Sequence, residues 1–581
     1  MDICLRQGVT MTELLTAVAI LFLAAGLFLL AGDRLGVPTA PMLILAGVSV
    51  GLVIPELLGV ELVEEGSTLT LAQVGIALLV FTFGADLEFG AVRTVLGDSE
   101  VAAIVGAVVM GGLGVGAGVG LGLDLQQAAY VGVAAALSST LVGTSLLQTE
   151  IRANLVRGRL AESIHLVQDL LAVGILLVLG AGTLSPDPIA TQLGYGIGLI
   201  LVALLVNRLV FGLLESLAGD SDEPLIVGVV ALLVVFMSGA ELVGVSVVVG
   251  AFAAGLAVQR EPARHIGLLN GLESIKDFFL ALFFVTVGAL VAVPTLEVVA
   301  IAATLTVLTA LVKPAVTIAV LSGQGYEGRS ATLTGLNLDQ VSEFSLIIAI
   351  EALLLGLIAQ SVFDAIILAA ALTMVTSSLT SQYGERLFEV LSDRGLVGSG
   401  HGKVDQRSDV PDDLDDHTVI VGYGRQGRRL ARTCEQLDRS YVVIENDPAL
   451  LAELERTCEA YVFGDATESY TLEKSQVGRA SLVVSTVETA TISRRLLAAA
   501  DDADVVLRAG DGSTAAALME AGATYVSVAD ALAAERLLGY IESLGDGEVS
   551  AEQLKERHLA ELDTGRSGRF HTTADEIRAR R

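Results

Sequence analysis

The sequence predicts a polytopic α-helical membrane domain followed by a soluble α/β domain. Three observations predict it. Residues from about Glu13 to Gln382 are almost wholly apolar, with glycine scattered throughout, in a chain of 581 residues that is 53% hydrophobic. From Gln382 onward the composition turns to that of a water-soluble protein. After a polar linker, this second part opens on a strand, a glycine-rich turn and an amphipathic helix.

Crossing the hydrocarbon core takes about 20 apolar residues. Punctuation at Gly, Pro and charge clusters yields thirteen stretches: 13–32, 39–58, 68–88, 100–122, 127–147, 160–182, 190–215, 224–241, 244–259, 275–293, 296–321, 332–356 and 360–382. The eighth and ninth are separated only by Glu241–Gly244. Basic residues collect on the cytoplasmic side of a membrane. With thirteen spans, Arg34, Arg93, Arg152, Arg157, Arg159, Arg208, Arg260, Arg264, Lys276, Arg329, Arg386 and Arg394 all fall on one side. The opposite loops offer Glu61, Glu64, Glu65, Asp124 and Asp187, and Arg6 precedes the first span. The alternation predicts a multi-pass protein of the plasma membrane, with its N-terminus outside and its C-terminal domain cytoplasmic. The first apolar stretch lacks a basic leader and a small-residue cleavage pattern, so it reads as a retained helix.

The chain carries 66 acidic and 35 basic residues, a formal net charge of −31. Such acidity argues against nucleic acid and against an anionic lipid surface as partners. Acid excess with only five lysines suits a salt-rich cytoplasm, and hence a halophilic source. Cys4, Cys434 and Cys458 show no metal-ligand spacing and no disulfide framework. No metal is expected beyond any transported ion.

An ionisable group at bilayer depth is expensive unless paired or wet, which makes it a functional candidate. The sixth stretch carries Glu162, His165, Gln168 and Asp169, with Asp169 roughly midway along the span. The functional reading is a carboxylate that holds a proton and a dehydrated cation by turns; the structural one is an acid bonded to a neighbouring helix. His165 reads as a packed core histidine, and Glu162 as interfacial. Lys313 directly precedes Pro314 within the eleventh stretch. It should face an acid or a cavity, with Asp169 and Glu343 as the possible partners.

The fifth and twelfth stretches are interrupted by polar residues. One contains Ser138-Ser139-Thr140, the other Asn337-Leu338-Asp339-Gln340-Val341-Ser342-Glu343. Hydroxyls and amides can satisfy backbone groups freed by a broken helix. Two such segments at matching places in two halves point to a transporter site between inverted repeats with crossing broken helices. Ordinary Ser/Thr packing between helices is the alternative for either segment taken singly.

At these residues the chain resembles the cation:proton antiporter 2 superfamily, in particular the Kef-type K+/H+ antiporters and related Na+/H+ antiporters. The matching pieces are Ala136-Leu137-Ser138-Ser139-Thr140, Gln168-Asp169, the run Leu282-Phe283-Phe284-Val285-Thr286-Val287-Gly288, Lys313, and Gln340-Val341-Ser342-Glu343-Phe344. The resemblance implies a homodimer in which a core of spans 4–6 and 11–13 moves against a dimerisation domain. It also implies that Asp169 is the shared proton and cation ligand. Electrogenic relatives carry an acid where this chain has Gln168, and in them Lys313 pairs with that acid. The helix-12 motif of the family usually has Gly where this chain has Val341 and Ser342.

The soluble part reads as a Rossmann-like domain over 417–540, after a linker at 386–416 and before a charged tail at 541–581; the membrane domain covers 1–385. Strand Thr418–Val421 is followed by Gly422-Tyr423-Gly424-Arg425-Gln426-Gly427, a helix, and strand Tyr441–Ile444 ending on Glu445. That is the dinucleotide fingerprint in its expected context: the glycines let backbone approach a phosphate at a helix N-terminus, and Glu445 can accept from a ribose. Gly464-Asp465-Ala466-Thr467 closes the third strand, and Leu482–Thr486 reads as the fourth. The segment resembles the RCK or TrkA-N domain that regulates K+ transporters and channels. That implies NAD(H) or another adenine nucleotide, AMP or ATP, as a regulatory ligand.

The reading from sequence is a K+ or Na+/proton antiporter working by alternating access, regulated by nucleotide and not an enzyme. Asp169, Gln168, Ser138, Ser139, Thr140, Glu343 and Lys313 form its ion site. A nucleotide-gated cation channel, a membrane-anchored nucleotide sensor without transport, and an anchored oxidoreductase are the alternatives.

Overall fold

The computed structural model describes residues 11–58, 65–87, 100–179, 186–214, 222–258, 266–397, 402–411, 414–500, 502–547 and 549–566. Arg6, Arg93, Arg260, Arg264, Glu61, Glu64 and Cys4, used above, lie outside the described residues. The chain divides into two compact units, residues 1–406 and 407–581.

Among its described residues, the regular elements of the first unit are all helices. Its elements are α1 (Met11–Leu35), α2 (Thr39–Leu58), α3 (Glu65–Asp86), α4 (Glu100–Gly120), α5 (Leu125–Ala136), α6 (Thr140–Leu146), α7 (Gln148–Arg152), α8 (Val156–Leu179) and α9 (Pro186–Val206). There follow α10 (Asp222–Leu242), α11 (Val247–Leu256), α12 (Ile266–Ala289), α13 (Leu296–Val307), α14 (Lys313–Gly323), α15 (Gly328–Leu336), α16 (Glu343–Leu354), α17 (Gln360–Gln382), α18 (Gly384–Asp393) and α19 (Gly402–Gln406). Each of the thirteen apolar stretches contains helix. Among the described residues, eight helical segments are long and apolar enough to cross a membrane. Leu23, Leu27 and Leu30 of α1, Ile104 and Val108 of α4, Leu201 and Leu205 of α9, and Val234 and Val235 of α10 are all exposed. Such a density of bare aliphatic surface suits a lipid solvent.

Two bundles make up this unit. α1, α2, α3, α10, α11 and α12 pack together, and α4–α6, α8 and α13–α17 form the other. The first is stitched by glycine. A Cβ on Gly47 of α2 would land on the Val285 carbonyl, and one on Gly288 of α12 would land on that of Ile44. Gly84 of α3 and Gly255 of α11 stand in the same relation to the carbonyls of Phe252 and Phe81. Small residues let helix backbones touch where no hydrophobic effect drives association.

The second bundle holds the irregular backbone. α5 ends at Leu137 and α6 restarts after Ser139, whose side chain accepts from Val142 N at 3.2 Å. α15 ends at Asn337 and α16 restarts after Ser342, whose side chain accepts from Phe344 N at 3.0 Å. The two interruptions expected from the polar runs are therefore present, and each re-entering half-helix is capped by a serine. A π-helical turn, Leu308–Val312, joins α13 to α14. Pro314 lacks an N–H, so regular α hydrogen bonding cannot continue through it, and a π turn is a usual accommodation.

The segment that follows α17 carries two short helices. α18 overlaps the start of the linker read at 386–416, α19 lies inside it, and Lys403 N donates to Gly325 O at 3.3 Å. Both helices belong to the first unit.

The second unit carries β1 (Thr418–Val421), β2 (Tyr441–Glu445), β3 (Tyr461–Phe463), β4 (Leu482–Ser485), β5 (Asp504–Ala509) and β6 (Tyr525–Val528). Its helices are α20 (Arg425–Gln436), α21 (Pro448–Thr457), α22 (Ser469–Lys474), α23 (Ala490–Ala499), α24 (Gly512–Glu520), α25 (Ala529–Gly545) and α26 (Ala551–Arg566). All strand pairs are parallel, in the order β3-β2-β1-β4-β5-β6. This is the doubly wound arrangement with its switch point between β1 and β4. The central strands β1 and β2 are buried runs of Val and Ile, as sheets covered on both faces require. Cys434 and Cys458 are free thiols buried here. α25 runs across the expected domain end at 540, and residues beyond 566 lie outside the described residues.

His417 leads into β1. It is fully buried, and its ring Nε2 meets Ser475 O at 3.0 Å. Burial holds this imidazole below the ordinary histidine range, ahead of the opposing pull of the Ser475 carbonyl.

The packing can be tested at two places. Gly288→Val should lower the melting temperature of the purified full chain, by roughly 1–3 kcal/mol of overpacking. Unchanged melting would show that the α2–α12 contact is looser than described. Because His417 favours its neutral form when folded, its contribution is present above the unfolded pKa of about 6.5 and fades as pH falls below it. The acid-side loss of soluble-domain stability should therefore be shallower in His417→Asn, as read by melting against pH.

Candidate functional site

The two interruptions cross, and Lys313 joins them. Its Nζ donates to Leu137 O at 2.8 Å, to Gln340 O at 3.1 Å and to Ser138 Oγ at 3.3 Å. Leu137 and Gln340 follow the C-terminal ends of α5 and α15, where carbonyls lack intrahelical partners and the helix dipole is negative. One buried ammonium thus serves both carbonyl ends. This corrects the expectation that Lys313 pairs with Asp169 or Glu343. Its acidic neighbour is instead Asp339, fully buried within the second interruption and bonded through Oδ2 to Thr380 Oγ1 at 2.5 Å. Asp339 was missed as a site residue. Its position three residues before the α16 cap, in a run otherwise carrying amides and hydroxyls, was the available signal.

Further bonds close the crossing. Ser138 Oγ donates to Leu338 O at 3.0 Å, and Gln340 Nε2 donates to Ser139 O at 3.1 Å. Ser377 Oγ donates to Gln340 Oε1 at 3.2 Å, and Val341 N donates to Thr373 Oγ1 at 3.1 Å. Gln168 is part of the frame: its Oε1 accepts from Ser138 N at 2.9 Å, and its Nε2 donates to Ala136 O at 3.4 Å.

The opposite polarity gathers at the start of α6. Asp169 is 1% exposed, and its Oδ2 accepts from Thr140 Oγ1 at 2.8 Å. Glu343, at the start of α16, accepts from Leu141 N through Oε1 at 3.2 Å, while its Oε2 has no hydrogen-bond partner. The Asp169 and Glu343 carboxylates are electrostatic neighbours. Helix N-terminal amides stabilise negative charge, so the start of α6 favours two acids side by side, and Lys276 of α12 adds a Coulomb attraction to Glu343. Of the residues named from sequence, Asp169, Glu343, Thr140 and Ser139 meet here. Ser138, Gln168 and Lys313 meet at the carbonyl side. Glu162 is exposed and takes no part. His165 is buried with neither ring nitrogen bonded, and a Cβ on Gly143 of α6 would lie 2.7 Å from its Nε2.

On the cytoplasmic side of the positive-inside reading, Glu385 of α18 is clasped by Arg329 of α15 and Arg157 of α8. Arg329 Nε donates to it at 3.0 Å, Arg329 Nη2 bonds its other oxygen, and Arg157 Nη1 lies at 3.4 Å. Arg157 also pairs with Glu150 of α7 at 2.6 Å. With Lys403 N on Gly325 O, the segment leaving the membrane unit grips both sides of the α15 start.

In the soluble unit the glycine-rich turn lies between β1 and α20. Gly422 has φ +91, and a Cβ there would come 2.6 Å from Thr486 Oγ1. A Cβ on Gly427 would strike the Gly422 carbonyl, whereas Gly424, the cap of α20, has open space around it. This is the geometry that lets a phosphate approach the amide end of α20, with Arg425 and Gln426 opening that helix. Gln426 Oε1 accepts from Arg508 Nη1 at 3.3 Å. Glu445 is held by backbone amides. Its Oε2 accepts from Tyr423 N at 2.6 Å, and its Oε1 from Asn446 N and Asp447 N at 2.8 and 2.9 Å. Three backbone amides already bond this carboxylate, leaving room for about one more donor. Asp465 and Thr467 are buried, with Asp465 Oδ1 accepting from Thr467 N and Oγ1, and Ala466 is buried between them. They build the turn after β3.

A helical membrane bundle with two crossing interrupted helices and a buried acid at their meeting point, followed in the chain by a nucleotide-type α/β unit, has the architecture of a secondary ion transporter. The family described as "Sodium/hydrogen exchanger, transmembrane" matches residues 18–382, and the TrkA-N domain matches 418–529. The chain belongs to the sodium/hydrogen exchanger family and carries a TrkA-N domain; it is a cation/proton antiporter and not an enzyme. It is 26% identical over 503 residues to the "Putative cation/proton antiporter YbaL" of Escherichia coli (strain K12), covering 82% of this chain and 89% of that one. It is 25% identical over 451 residues to the "Glutathione-regulated potassium-efflux system protein KefC" of Salmonella schwarzengrund, covering 74% and 69%. Among solved structures, the sodium proton antiporter MjNhaP1 of Methanocaldococcus jannaschii aligns at TM-score 0.48 and 16% identity, over 65% of this chain and 98% of that one. The TrkA-N domain of Escherichia coli ybaL aligns at TM-score 0.21 and 26% identity, over 22% of this chain and 98% of that one. The cation:proton antiporter resemblance read from Gln168-Asp169, Lys313 and the two polar runs is borne out at the level of family.

Lys313→Met should destabilise the chain by roughly 3 kcal/mol, because two helix ends lose their shared donor. The measurement is thermal unfolding of the detergent-purified protein. A variant as stable as the parent would mean that the crossing does not depend on this ammonium.

Proposed function

We propose that this protein exchanges a monovalent cation, K+ in preference to Na+, for protons across the plasma membrane by alternating access. Asp169 is the shared ligand. The observation that carries this reading is a buried carboxylate at the junction of two broken helices, backed by Glu343 and bonded to Thr140. When Asp169 is ionised, it, Glu343 and the Thr140 and Ser139 oxygens supply hard oxygen donors that replace part of a cation's hydration shell. When Asp169 is protonated, the Coulomb attraction for the cation falls and the ion leaves. Proton and cation compete for the same oxygens, and that competition is the coupling. Lys313 and Gln168 hold the crossing in shape while the bundle of spans 4–6 and 11–13 moves against the other. The preference for K+ rests on the Gln168-Asp169 pair, on the attached TrkA-N domain, and on relatives whose names describe potassium efflux.

The thirteen-span topology, with the N-terminus outside and the soluble domain in the cytoplasm, is supported by the one-sided basic loops. A homodimer suits the exposed Leu532, Leu537, Leu538 and Ile541 on α25. NAD(H), AMP or ATP binds at Gly422, Gly424 and Gly427, with Arg425 and Gln426 near the phosphates. A change in the soluble domain reaches the ion site through α18 and α19, whose grip on α15 is described above.

Two experiments test this. In proteoliposomes, K+ or Na+ should collapse an imposed pH gradient, and Asp169→Asn should abolish the collapse; normal exchange by that variant would refute the assignment. NAD(H), AMP and ATP should each be titrated against the melting temperature of the full chain. At least one should stabilise it, and Gly424→Val should remove the shift.

A further inference from the structure

A second acid of the α16 half-helix has no role so far. Glu351 is 8% exposed, and its Oε1 has no hydrogen-bond partner. It lines a cavity of about 520 Å³ together with Gln73 of α3, Leu176 and Leu179 of α8, Glu241 of α10 and Ser246 at the start of α11. This cavity therefore lies where the two bundles meet. Ser246 Oγ accepts from Val248 N at 3.2 Å, which leaves its own proton free to donate, and its side chain is bonded to Glu351.

The cavity's place along the helices gives it a direction. Leu176 is seven residues beyond Asp169 on α8, and Glu351 is eight beyond Glu343 on α16. At 1.5 Å per residue both lie roughly 10–12 Å from the Asp169–Glu343 pair. Leu179 ends α8, Gly244 separates α10 from α11, and Leu355 follows α16. In the proposed topology all three positions are external, opposite Arg157, Arg329 and Glu385. Among the described residues, no Lys or Arg lines the cavity, and Glu241 is its other charged group, exposed at the rim. A buried carboxylate with an open oxygen and no counter-charge needs a proton or a cation to balance it.

We infer that Glu351, with Ser246 and Gln73, forms an outward-side holding site for a monovalent cation, two helical turns from Asp169. The inference deepens the transport reading and rests on it. The site concentrates the cation at the external mouth and hands it to, or receives it from, the Asp169–Glu343 pair. Glu351 supplies the charge; Ser246 and Gln73 supply neutral oxygens that bind without trapping. Because Ser246 and Gln73 belong to one bundle and Glu351 to the other, relative movement of the bundles opens or closes the set.

The test is sided. In oriented proteoliposomes, Glu351→Gln should raise the KM for K+ or Na+ presented from outside about tenfold, the size expected from losing one charged contact. The KM from the cytoplasmic side should not change. Glu351→Asp should recover part of the external value. Equal changes on both sides, or none, would overturn the proposal. Access is tested separately, without transport. The Ser246→Cys variant should react with a membrane-impermeant cationic methanethiosulfonate added outside, beyond the labelling of the parent chain, and added K+ or Na+ should slow it. Labelling that ignores the cation, or no labelling, also overturns it. If Asp169→Asn still exchanges, the transport reading falls, while labelling of the Ser246→Cys variant continues to report on the cavity. If Asp169→Asn is dead and Glu351→Gln is silent, only this inference falls.

Discussion

One ammonium group governs the membrane unit. A helix interrupted inside a bilayer leaves carbonyls with no water to bond, and each such group is expensive. Two interruptions placed together double the problem and also solve it, because Lys313 reaches Leu137 O and Gln340 O at once. Its side chain can lie buried only because those carbonyls and Asp339 surround it. Remove either interruption and the lysine loses part of its shell; remove the lysine and the carbonyls of Leu137 and Gln340 lose their shared donor.

That arrangement sorts charge. The carbonyl ends of α5 and α15 gather around the cation, so the amide end of α6 is left to the acids. Asp169 and Glu343 can sit as neighbours there because Thr140 Oγ1 and Leu141 N already bond them. The two acids form a site with negative charge to spare, which a proton or a cation can neutralise. In the proposed transport cycle, the crossing would separate a part that stays rigid from a part that exchanges ligands. Gln168 and Asp169, adjacent in the chain, fall on either side of that division.

The other bundle is built on a different principle. Gly47, Gly84, Gly255 and Gly288 bring backbones into direct contact, making a dense support. A bundle of that kind offers little to rearrange, whereas the second holds its shape through a network of hydroxyls, amides and one lysine. Glu385 and its two arginines add a handle to the second bundle alone. Regulation through α18 and α19 would then act on α15, the half-helix whose end faces Lys313.

Composition determined much of this. The apolar stretches, the buried Asp169 and the polar runs at Ser138 and Asn337 were all legible, because lipid punishes any polar atom that lacks a reason. The strand–turn–helix at Gly422 was legible for a similar cause: a positive φ and a close backbone approach admit glycine almost exclusively. Periodicity and spacing could not say which buried groups meet. Lys313 lies 176 residues from Leu137, its strongest partner, and a carbonyl carries no sequence mark. Asp339 read as one more polar residue of an interrupted span, Glu445 as an acceptor for a ribose, and Glu351 drew no reading. Their roles depend on which neighbours the packing supplies, and only the tertiary structure brings residues distant in the chain within bonding range.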